Sequence, residues 1–310
     1  PYPTPFRSAQ VPPGADSVVQ QELVEKNEDG TVVFKAPVKT GTNVRLAGSD
    51  FPAGETILHA GDKLTPANLG IAASTGRAYL RVYGRLRVSI FCSGSELARP
   101  GEPLREGAIY NSNRYQLRAL LHALGCEVND VGSVRDSIED TVEAFQKAAR
   151  STDVIVTTGG MSVGEEDYIK PAVERLGHID MWRLAVKPGK PFAFGEVSGV
   201  PFLGLPGNPV AVFVETLMMV RPFLRVRQGG RADLHRPIAV RADFDWKAGD
   251  REEFIRVYRN DKGGLCILPN QNSQVLSSCA KADGIVDVPV GKDIRQGDFV
   301  DYYPLAEFLA

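Results

Sequence analysis

The sequence predicts a multidomain α/β protein in which a doubly wound, mostly parallel sheet domain is flanked by β-rich domains, with a C-terminal β-barrel or sandwich. Three observations lead to this fold class. The length of 310 residues exceeds what one small core holds. Strands alternate with helix-length apolar patterns over residues 85–228. Short strand-like runs, separated by Gly, Pro, Asp and Asn, lie on either side of that region.

The first 84 residues are predicted to be strands and turns. The runs "TVVFKAPV" and "NVRLAG" are typical of short strands, and no long helical period is present. The opening "PYPTPFR" has neither an initiator methionine nor a helix-capping signal. We therefore expect that an N-terminal segment precedes this sequence.

The central region begins with a strand over "LRVSIFCSG", followed by a helix over "NRYQLRALLHALGCE". The helix has one apolar face, with leucines at i, i+3, i+4 and i+7, and Gly125 is predicted to end it. The leucines of this face are Leu117, Leu120, Leu121 and Leu124.

A second strand, within "CEVNDVGSV", precedes a second helix over "DSIEDTVEAFQKAAR". Ser137 and Asp140 have the spacing of a capping box at the start of that helix. Its predicted buried stripe consists of Ile138, Val142, Phe145 and Ala149. The run "TDVIVTTGG" is the third strand, and a long helix begins near Val210.

The last region, from residue 229, returns to short strands. "REEFIRVYR" and "GIVDVPV" are the clearest of them. Short strands with polar turns predict a small β-barrel or sandwich at the C-terminus.

Composition excludes several classes of protein. Lys and Arg number 36 against 38 Asp and Glu, so the chain lacks the basic footprint of a general nucleic-acid binder. The four cysteines are far apart, which argues against a disulfide framework or a cysteine zinc site and favours a reducing compartment. The most apolar long stretch, residues 210–224, is interrupted by Glu215 and Arg221 and is too short to span a bilayer. We expect a cytoplasmic protein.

One loop, "TTGGMSVGEEDY" at residues 157–168, combines two opposite electrostatic features. Its small residues are predicted to hold backbone amides open for an anion: Thr158, Gly159, Gly160, Ser162 and Gly164. Three carboxylates follow: Glu165, Glu166 and Asp167. Two unit charges at 4 Å repel by about 4 kcal/mol at an effective dielectric near 20. A divalent cation bridging the anion to the carboxylates would reconcile the two features.

Three predicted strands end in loops that carry an acid. These acids are Glu96 in "CSGSEL", Asp136 in "VRDS" and Asp167. Each acid alone is more simply a helix cap or a partner of the helix dipole. Together they favour a ligand site, because the carboxyl ends of parallel strands meet at one edge of the sheet. Magnesium prefers one or two carboxylates together with water and phosphate oxygens, which fits this edge.

Two further turns are candidates for anion binding. "VKPGKPFAFG" presents Lys187 and Lys190 on a turn that its prolines keep out of a helix. A solvated surface turn is the simpler interpretation of that motif alone. "GLPGNP", at residues 204–209, is either a structural elbow or a source of helix N-terminal amides. Arg256 and Ser277 have no chemistry that spacing alone assigns.

The sequence as a whole resembles the molybdopterin molybdenumtransferase family, which includes MoeA and the gephyrin-type E domain. The motifs "TTGGMSVGEEDY", "VKPGKPFAFG" and "GLPGNPV" carry the resemblance, and they occur in the expected order. With "GTNVRLAGSD" before them and "ADGIVDVP" after them, the resemblance covers nearly the whole chain.

The resemblance implies the last step of molybdenum cofactor synthesis. Family enzymes bind adenylylated molybdopterin and molybdate, cleave the adenylyl link with Mg²⁺, insert molybdenum and release AMP. It also implies a homodimer, a MogA-like adenylyltransferase as the upstream partner, and molybdoenzymes or their chaperones as recipients. Neither nucleic acid nor a membrane is expected as a partner.

The domain order that the resemblance implies has four parts. Residues 1–45 are a partial β-rich insertion domain, and residues 46–84 are a partial linker and dimerisation domain whose N-terminal segment is missing. Residues 85–228 form the MogA-like α/β molybdopterin-binding domain, and residues 229–310 form the β-barrel.

The site residues follow by motif position. Asp167 corresponds to the essential acid and, with Glu96, to a Mg²⁺ ligand, while Asp136 and Asp50 correspond to further catalytic acids. The implied contacts to the pterin nucleotide and molybdate are Ser93, Gly94, Gly159, Gly160, Ser162, Gly164, Lys187, Lys190, Pro206, Gly207, Asn208, Pro209, Arg256 and Ser277.

Two other functions are compatible with parts of this pattern. The related molybdopterin adenylyltransferase shares the sheet domain, but it would lack the flanking β regions and the combination of "KPGKP" with "GLPGNP". A scaffold of the gephyrin type would use the same fold to bind a partner's peptide.

Overall fold

The computed structural model describes residues 10–161, 167–231 and 236–308, and the chain divides into two compact units. The first unit is Pro1–His59 with Leu64–Arg77, and the second is Ala60–Lys63 with Ala78–Ala310. The first unit contains a 3₁₀ turn at Gln21–Leu23 and three regular elements: β1 (Val24–Lys26), β2 (Val32–Phe34) and α1 (Pro66–Ser74).

The first unit differs from the prediction in two places. β1 and β2 pair antiparallel, but the "NVRLAG" segment forms no strand. The helix α1 was not predicted because only Ala72 of its residues is buried, so it has no apolar stripe to reveal it. Thr65 caps it by accepting a hydrogen bond from the Asn68 amide at 3.2 Å, and Pro66 occupies its first position.

The second unit begins with alternating strands and helices. Its strands are β3 (Arg87–Ser93), β4 (Leu97–Ala98), β5 (Ile109–Tyr110), β6 (Glu127–Val134), β7 (Val154–Thr158), β8 (Gly177–Trp182), β9 (Val186–Lys187), β10 (Ala193–Val197) and β11 (Val200–Leu205). Its helices are α2 (Ser112–Ala123), α3 (Ile138–Ala149), α4 (Ile169–Leu176), α5 (Pro209–Glu215) and α6 (Arg221–Arg227).

The main sheet is mixed. Within the described residues it has six strands in the order β6-β3-β7-β11-β10-β8. The first four run parallel, whereas β10 and β8 are antiparallel to their neighbours. The antiparallel part arises because Ser198 and Gly199 both have positive φ, which closes a tight hairpin between β10 and β11.

Helices cover both faces of this sheet, as a doubly wound fold requires. On one face Leu117 and Leu121 of α2 pack against strand residues such as Val88 and Val156. On the other face Phe145 of α3 stacks edge-on with Phe91 and Phe202, with ring centroids 4.9 and 5.2 Å away. The predicted leucine face of α2 is confirmed.

The buried stripe of α3 is rotated from its predicted position. Phe145 is fully buried, but the other buried residues are Thr141, Ala144 and Ala148. The predicted Ile138, Val142 and Ala149 are only half-buried at the rim of the core. Ala144 and Ala148 pack in the core that α3 shares with the sheet and with α4. The predicted cap is confirmed, since Ser137 Oγ accepts from the Asp140 amide at 3.1 Å.

The long helix near Val210 forms with one irregularity. A π-helical turn at Thr216–Val220 separates α5 from α6. Glu215 and Arg221 flank this turn, and both are almost completely buried. Of the helices in the described part of the chain, none combines the length and the apolarity needed to cross a lipid bilayer.

The C-terminal part forms a second sheet. Its elements are β12 (Ile238–Arg241), β13 (Glu252–Arg259), β14 (Leu265–Ile267), α7 (Ser277–Lys281), β15 (Gly284–Val288), β16 (Phe299–Pro304) and α8 (Leu305–Phe308). The strand order is β12-β16-β15-β13-β14, with β9 added in parallel to β13. The predicted barrel is not confirmed, because the described strands form an open path whose ends share only an isolated bridge between Ala242 and Leu265.

Candidate active site

A cavity of about 1360 Å³ lies at the carboxyl ends of β3, β7 and β11. The three acid-bearing loops and the two predicted anion turns all contribute to its lining. This is the arrangement expected of an open sheet with parallel strands. The prediction that these motifs gather at one edge of the sheet therefore agrees with the structure.

Asp136 holds two of the loops together. Its Oδ1 accepts from Ser93 Oγ at 3.1 Å and its Oδ2 accepts from the Ser95 amide at 2.7 Å. The Asp136 amide in turn donates to Ser95 Oγ at 3.1 Å. Because both carboxylate oxygens are engaged, Asp136 fixes the loop after β3 in place.

Asp167 lies just before α4 and faces the cavity half-buried. Burial raises the pKa of its carboxyl to about 6, although the backbone amides of Ile169 and Lys170 oppose this rise. Its Oδ1 is buried and has no hydrogen-bond partner among the described residues. Within the described residues, Asp167 therefore keeps one buried carboxylate oxygen unsatisfied at the edge of the cavity.

The other predicted acids differ from Asp167. Glu96 is exposed and lines the cavity. Asp50 lies in the first unit, so its catalytic role stays a prediction. Within the described ranges, no group of three or more His, Cys, Asp or Glu side chains is gathered as a metal cage. Asp167 and Glu96 still fit magnesium, which takes one or two carboxylates and completes its shell with water and phosphate.

The loop after β7, here called the glycine loop, requires glycine at positions 159 and 160. Gly159 and Gly160 have φ values of +85° and +63°, in the left-handed region. A Cβ on Gly159 would overlap the carbonyl oxygen of Ser93, and one on Gly160 would lie 2.8 Å from Ile169 Cγ1. The backbone of this loop thus reaches the neighbouring strand end, and both glycines line the cavity. The predicted contacts Ser162 and Gly164 lie outside the described residues.

The turn that carries Lys187 and Lys190, here called the lysine turn, belongs partly to the C-terminal sheet. Its strand β9 pairs with β13, placing Lys187 opposite Glu253. Lys187 Nζ lies 2.8 Å from Glu253 Oε1, and that glutamate side chain is only 5% exposed. Trp246 Nε1 donates to the other oxygen at 2.6 Å. Lys190 is exposed and lines the cavity.

The turn at residues 206–209 also lines the cavity, so the predicted Pro206, Gly207, Asn208 and Pro209 are all present there. The amide of Val210, in the first turn of α5, donates to the Ser273 carbonyl at 3.1 Å. That amide is therefore used within the protein. The turn is an elbow that joins the sheet domain to the C-terminal segment.

Arg256 and Ser277 are not among the lining residues. Arg256 is 1% exposed, and its guanidinium donates to Ser278 Oγ at 3.2 Å and to the Asn272 carbonyl at 3.4 Å. The segment at residues 271–274 lines the cavity instead. In this structure Arg256 supports that segment from behind.

Several lining residues were not predicted from the sequence, and two polar groups stand out among them. One is Asn111, Ser112 and Asn113 at the start of α2, and the other is Arg251 with residues 271–274. Asn113 Nδ2 donates to Thr158 Oγ1 at 3.0 Å and to the Gly207 carbonyl at 2.7 Å, which joins two cavity loops. The run "NSN" before a helix was the available signal, since Asn111 caps α2 by accepting from the Arg114 amide.

Glu215 lies beneath the lysine turn without lining the cavity. A Cβ on Gly189 would overlap Glu215 Oε1, so the carboxyl packs directly under that glycine. Neither carboxyl oxygen has a hydrogen-bond partner among the described residues. Burial raises the pKa of Glu215 well above its ordinary 4.5.

Glu215→Gln is expected to stabilise the protein increasingly as the pH rises above about 4.5. The unfolded chain loses the Glu215 proton first, so the wild type loses stability from that pH up to the higher pKa of the folded state. Each unit of pKa shift corresponds to about 1.4 kcal/mol, and glutamine does not titrate. Urea unfolding at pH 5 and pH 8 measures the effect, with Glu174→Gln on the exposed face of α4 as the matched control. A difference between variant and wild type that is equal at both pH values would contradict the prediction.

Comparison with known proteins covers both units. Family models match residues 8–76 as the MoeA N-terminal region (domain I and II), 89–226 as a probable molybdopterin binding domain and 239–305 as the MoeA C-terminal region (domain IV). A molybdopterin molybdenumtransferase of Haemophilus influenzae is 42% identical over 308 residues, covering 97% of this chain and 76% of that protein. The chain belongs to the molybdopterin molybdenumtransferase family.

Further relatives agree with this family. Molybdopterin molybdenumtransferase 2 of Mycobacterium tuberculosis is 33% identical, covering 91% of this chain and 71% of that protein. A crystal structure of a molybdopterin biosynthesis MoeA protein from Pyrococcus horikosii superposes with a TM-score of 0.76 at 27% identity, covering 95% of this chain and 73% of that one. The fold is thus the MoeA-like multidomain α/β fold, and the protein is a transferase of a late step in molybdenum cofactor biosynthesis.

The residues that line the cavity come from two of the regions that the family models match. The acid and glycine loops come from the molybdopterin binding domain, whereas Arg251 and residues 271–274 come from the C-terminal region. The site is therefore built by both parts of the second unit.

Proposed function

We propose that this molybdenumtransferase inserts molybdenum into adenylylated molybdopterin, taking molybdate and Mg²⁺ and releasing AMP. The observation that carries the proposal is one cavity lined both by acids and by cations. Asp167, whose Oδ1 has no hydrogen-bond partner in the described part of the chain, lies beside the glycine loop, and the lysine turn brings cations to the same cavity. Such a cavity suits a substrate with a phosphoanhydride and a second, separate oxyanion.

The chain's own residues divide the work. Gly159 and Gly160 allow the loop backbone to approach a phosphate closely, because neither carries a Cβ. Asp167 and Glu96 would hold Mg²⁺, which when bound neutralises charge on the phosphate oxygens. The exposed Lys190 of the lysine turn would attract the oxyanion by its charge.

The proposed function also implies a compartment, an oligomeric state and partner proteins for the enzyme. We infer a cytoplasmic homodimer that receives its substrate from a MogA-like adenylyltransferase and passes its product to molybdoenzymes or their chaperones. The family membership supports these inferences. Gel filtration with light scattering tests the dimer directly.

Molybdate-stimulated AMP release is the expected result for the full-length protein given adenylylated molybdopterin and Mg²⁺. Lys190→Ala is expected to raise the molybdate concentration for half-stimulation about tenfold, the effect of losing one charge-assisted hydrogen bond. Substrate binding without AMP release would indicate a scaffold on this fold, and ATP-dependent formation of the adenylylated pterin would indicate an adenylyltransferase.

A further inference from the structure

The turn at residues 206–209, here called the elbow, is held in place through its carbonyl groups. Two of its four residues, Pro206 and Pro209, have no backbone N–H to donate. Asn208 directly precedes α5, but its side chain makes no capping hydrogen bond within the described structure. The usual means of fixing the start of a helix is therefore not used at this one.

Two side chains of α2 supply hydrogen bonds to the elbow instead. Asn113 Nδ2 donates to the Gly207 carbonyl at 2.7 Å, and Gln116 Nε2 donates to the Pro209 carbonyl at 2.8 Å. The two amides are three residues apart in the helix, so they lie on the same face of it. Because the buried leucine face anchors α2 in the core, both donors have a fixed position.

Asn113 also bonds the glycine loop. The same nitrogen donates to Thr158 Oγ1 at 3.0 Å. The two loops lie side by side at this point, since the Gly159 amide donates to the Leu205 carbonyl at 3.1 Å and a Cβ on Gly207 would lie 3.9 Å from Gly159 Cα. One side chain thus links the loops that follow the paired ends of β7 and β11.

We propose that Asn113 and Gln116 are positioning residues that hold the elbow against the glycine loop, and that this spacing determines the affinity for a substrate contacting both loops. The inference rests on the proposed function for the identity of that substrate. Both loops line the cavity, and a ligand binds more tightly when the loops that it contacts are ordered beforehand. These bonds do not involve Asp167 or Glu96, so the chemical step should change much less than binding.

Gln116 provides the sharper test of this role. Asn113 lines the cavity, so a variant at that position also changes the surface that a ligand meets. Gln116 is not among the lining residues. A loss of affinity in a Gln116 variant must therefore be transmitted through the elbow.

The first measurement is the affinity of the full-length protein for adenylylated molybdopterin without molybdate, together with single-turnover AMP release at saturating substrate and molybdate. Asn113→Ala is expected to weaken binding about 10- to 30-fold through the loss of two hydrogen bonds, and Gln116→Ala about 3- to 10-fold through the loss of one. The rate at saturation should stay within about threefold of the wild type in both, because binding alone has been weakened.

Gln228→Ala is the matched control. Gln228 Nε2 also has two acceptors in another element, the Leu124 carbonyl at 2.8 Å and Cys126 Sγ at 3.4 Å, but the residue lies outside the cavity lining. This variant should bind the adenylylated pterin like the wild type. The split is the reverse of that expected for a metal ligand, whose loss lowers the rate at saturation and leaves the substrate bound.

The second measurement, amide hydrogen exchange in the ligand-free protein, does not depend on any activity. The Val210 amide, bonded to the Ser273 carbonyl, reports on the elbow, and the Gly159 amide reports on the glycine loop. Both should exchange about 3- to 10-fold faster in Asn113→Ala, and Val210 alone in Gln116→Ala, because local opening becomes easier. Neither amide should change in Gln228→Ala.

Three results would overturn the proposal. One is exchange at Val210 and Gly159 that is the same in all variants, and another is faster exchange with an affinity that stays within about twofold of the wild type. The third is a loss of affinity in Asn113→Ala without any in Gln116→Ala, which would make Asn113 a direct ligand contact. A wild type that binds the adenylylated pterin but releases no AMP would contradict the proposed function alone, because affinity and exchange still measure the positioning.

Discussion

Asp167→Asn is expected to abolish AMP release while the adenylylated pterin still binds. Asparagine keeps the size of the side chain but lacks the carboxylate charge that, in the proposed function, would hold Mg²⁺ against the phosphate. Losing a charge that stabilises the transition state costs on the order of 10³-fold in rate. The measurement is single-turnover AMP release at saturating molybdate, with substrate affinity determined in parallel.

Asp287→Asn is the matched control for this variant. Asp287 is also half-buried, has an oxygen without a hydrogen-bond partner among the described residues, and has its pKa raised by burial and by neighbouring Glu252. It lies on β15, outside the cavity lining. Full turnover in Asp287→Asn with none in Asp167→Asn supports the role of Asp167. Equal turnover in the two variants would remove Asp167 from the mechanism.

Gly159→Ala is expected to destabilise the second unit strongly. The residue has a φ of +85°, and the added methyl would overlap the carbonyl oxygen of Ser93 at the end of β3. Left-handed backbone costs roughly 1–2 kcal/mol for a residue with a Cβ. Overpacking typically adds about 1–3 kcal/mol. We expect a total loss of about 2–5 kcal/mol in the free energy of unfolding, measured by urea denaturation.

The variant Gly199→Ala separates the cost of the left-handed backbone from the cost of overpacking. Gly199 has a φ of +81°, nearly that of Gly159, but no atom lies within 4 Å of a Cβ built there. Its loss of stability should therefore contain the backbone cost alone, about 1–2 kcal/mol. If both variants lose the same amount, the close approach of Gly159 to Ser93 has no energetic consequence.

The sequence reveals those parts of the fold that rest on local patterns. The leucines of α2 recur at helical spacing, and Ser137 precedes Asp140 by the three residues of a capping box. Both features could therefore be assigned before the structure was known. The rotation of the α3 stripe could not, because Thr141 and Ala144 are buried by contact with the sheet and not by their own hydrophobicity. The β10–β11 hairpin depends on a two-residue turn, "SG", that also occurs in ordinary loops.

The residues of the cavity also divide into those that local sequence patterns predict and those that they do not. The glycine loop and the acids are contiguous motifs at strand ends, and the parallel topology predicts that they meet. The pairing of Lys187 with Glu253 and the approach of Arg251 to Gly189 join residues more than sixty positions apart. No local spacing signals such contacts. The sequence motifs therefore identified both lysines but not the pairing of Lys187 with Glu253. The molybdate contact that the resemblance implies for Arg256 stays a prediction, and in this structure that side chain is buried.

The pairing of β9 with β13 makes one wall of the cavity a strand of the C-terminal sheet. The lysine turn lies in the chain between β8 and β10 of the main sheet, so this pairing, together with the hydrogen bonds that Arg251 donates to the turn, ties the two sheets to each other at the cavity. A ligand that contacted the glycine loop and Arg251 at once would add a further link between the two sheets. By reciprocity, the free energy that such a ligand contributed to holding the sheets together would equal the free energy that their arrangement contributes to holding the ligand.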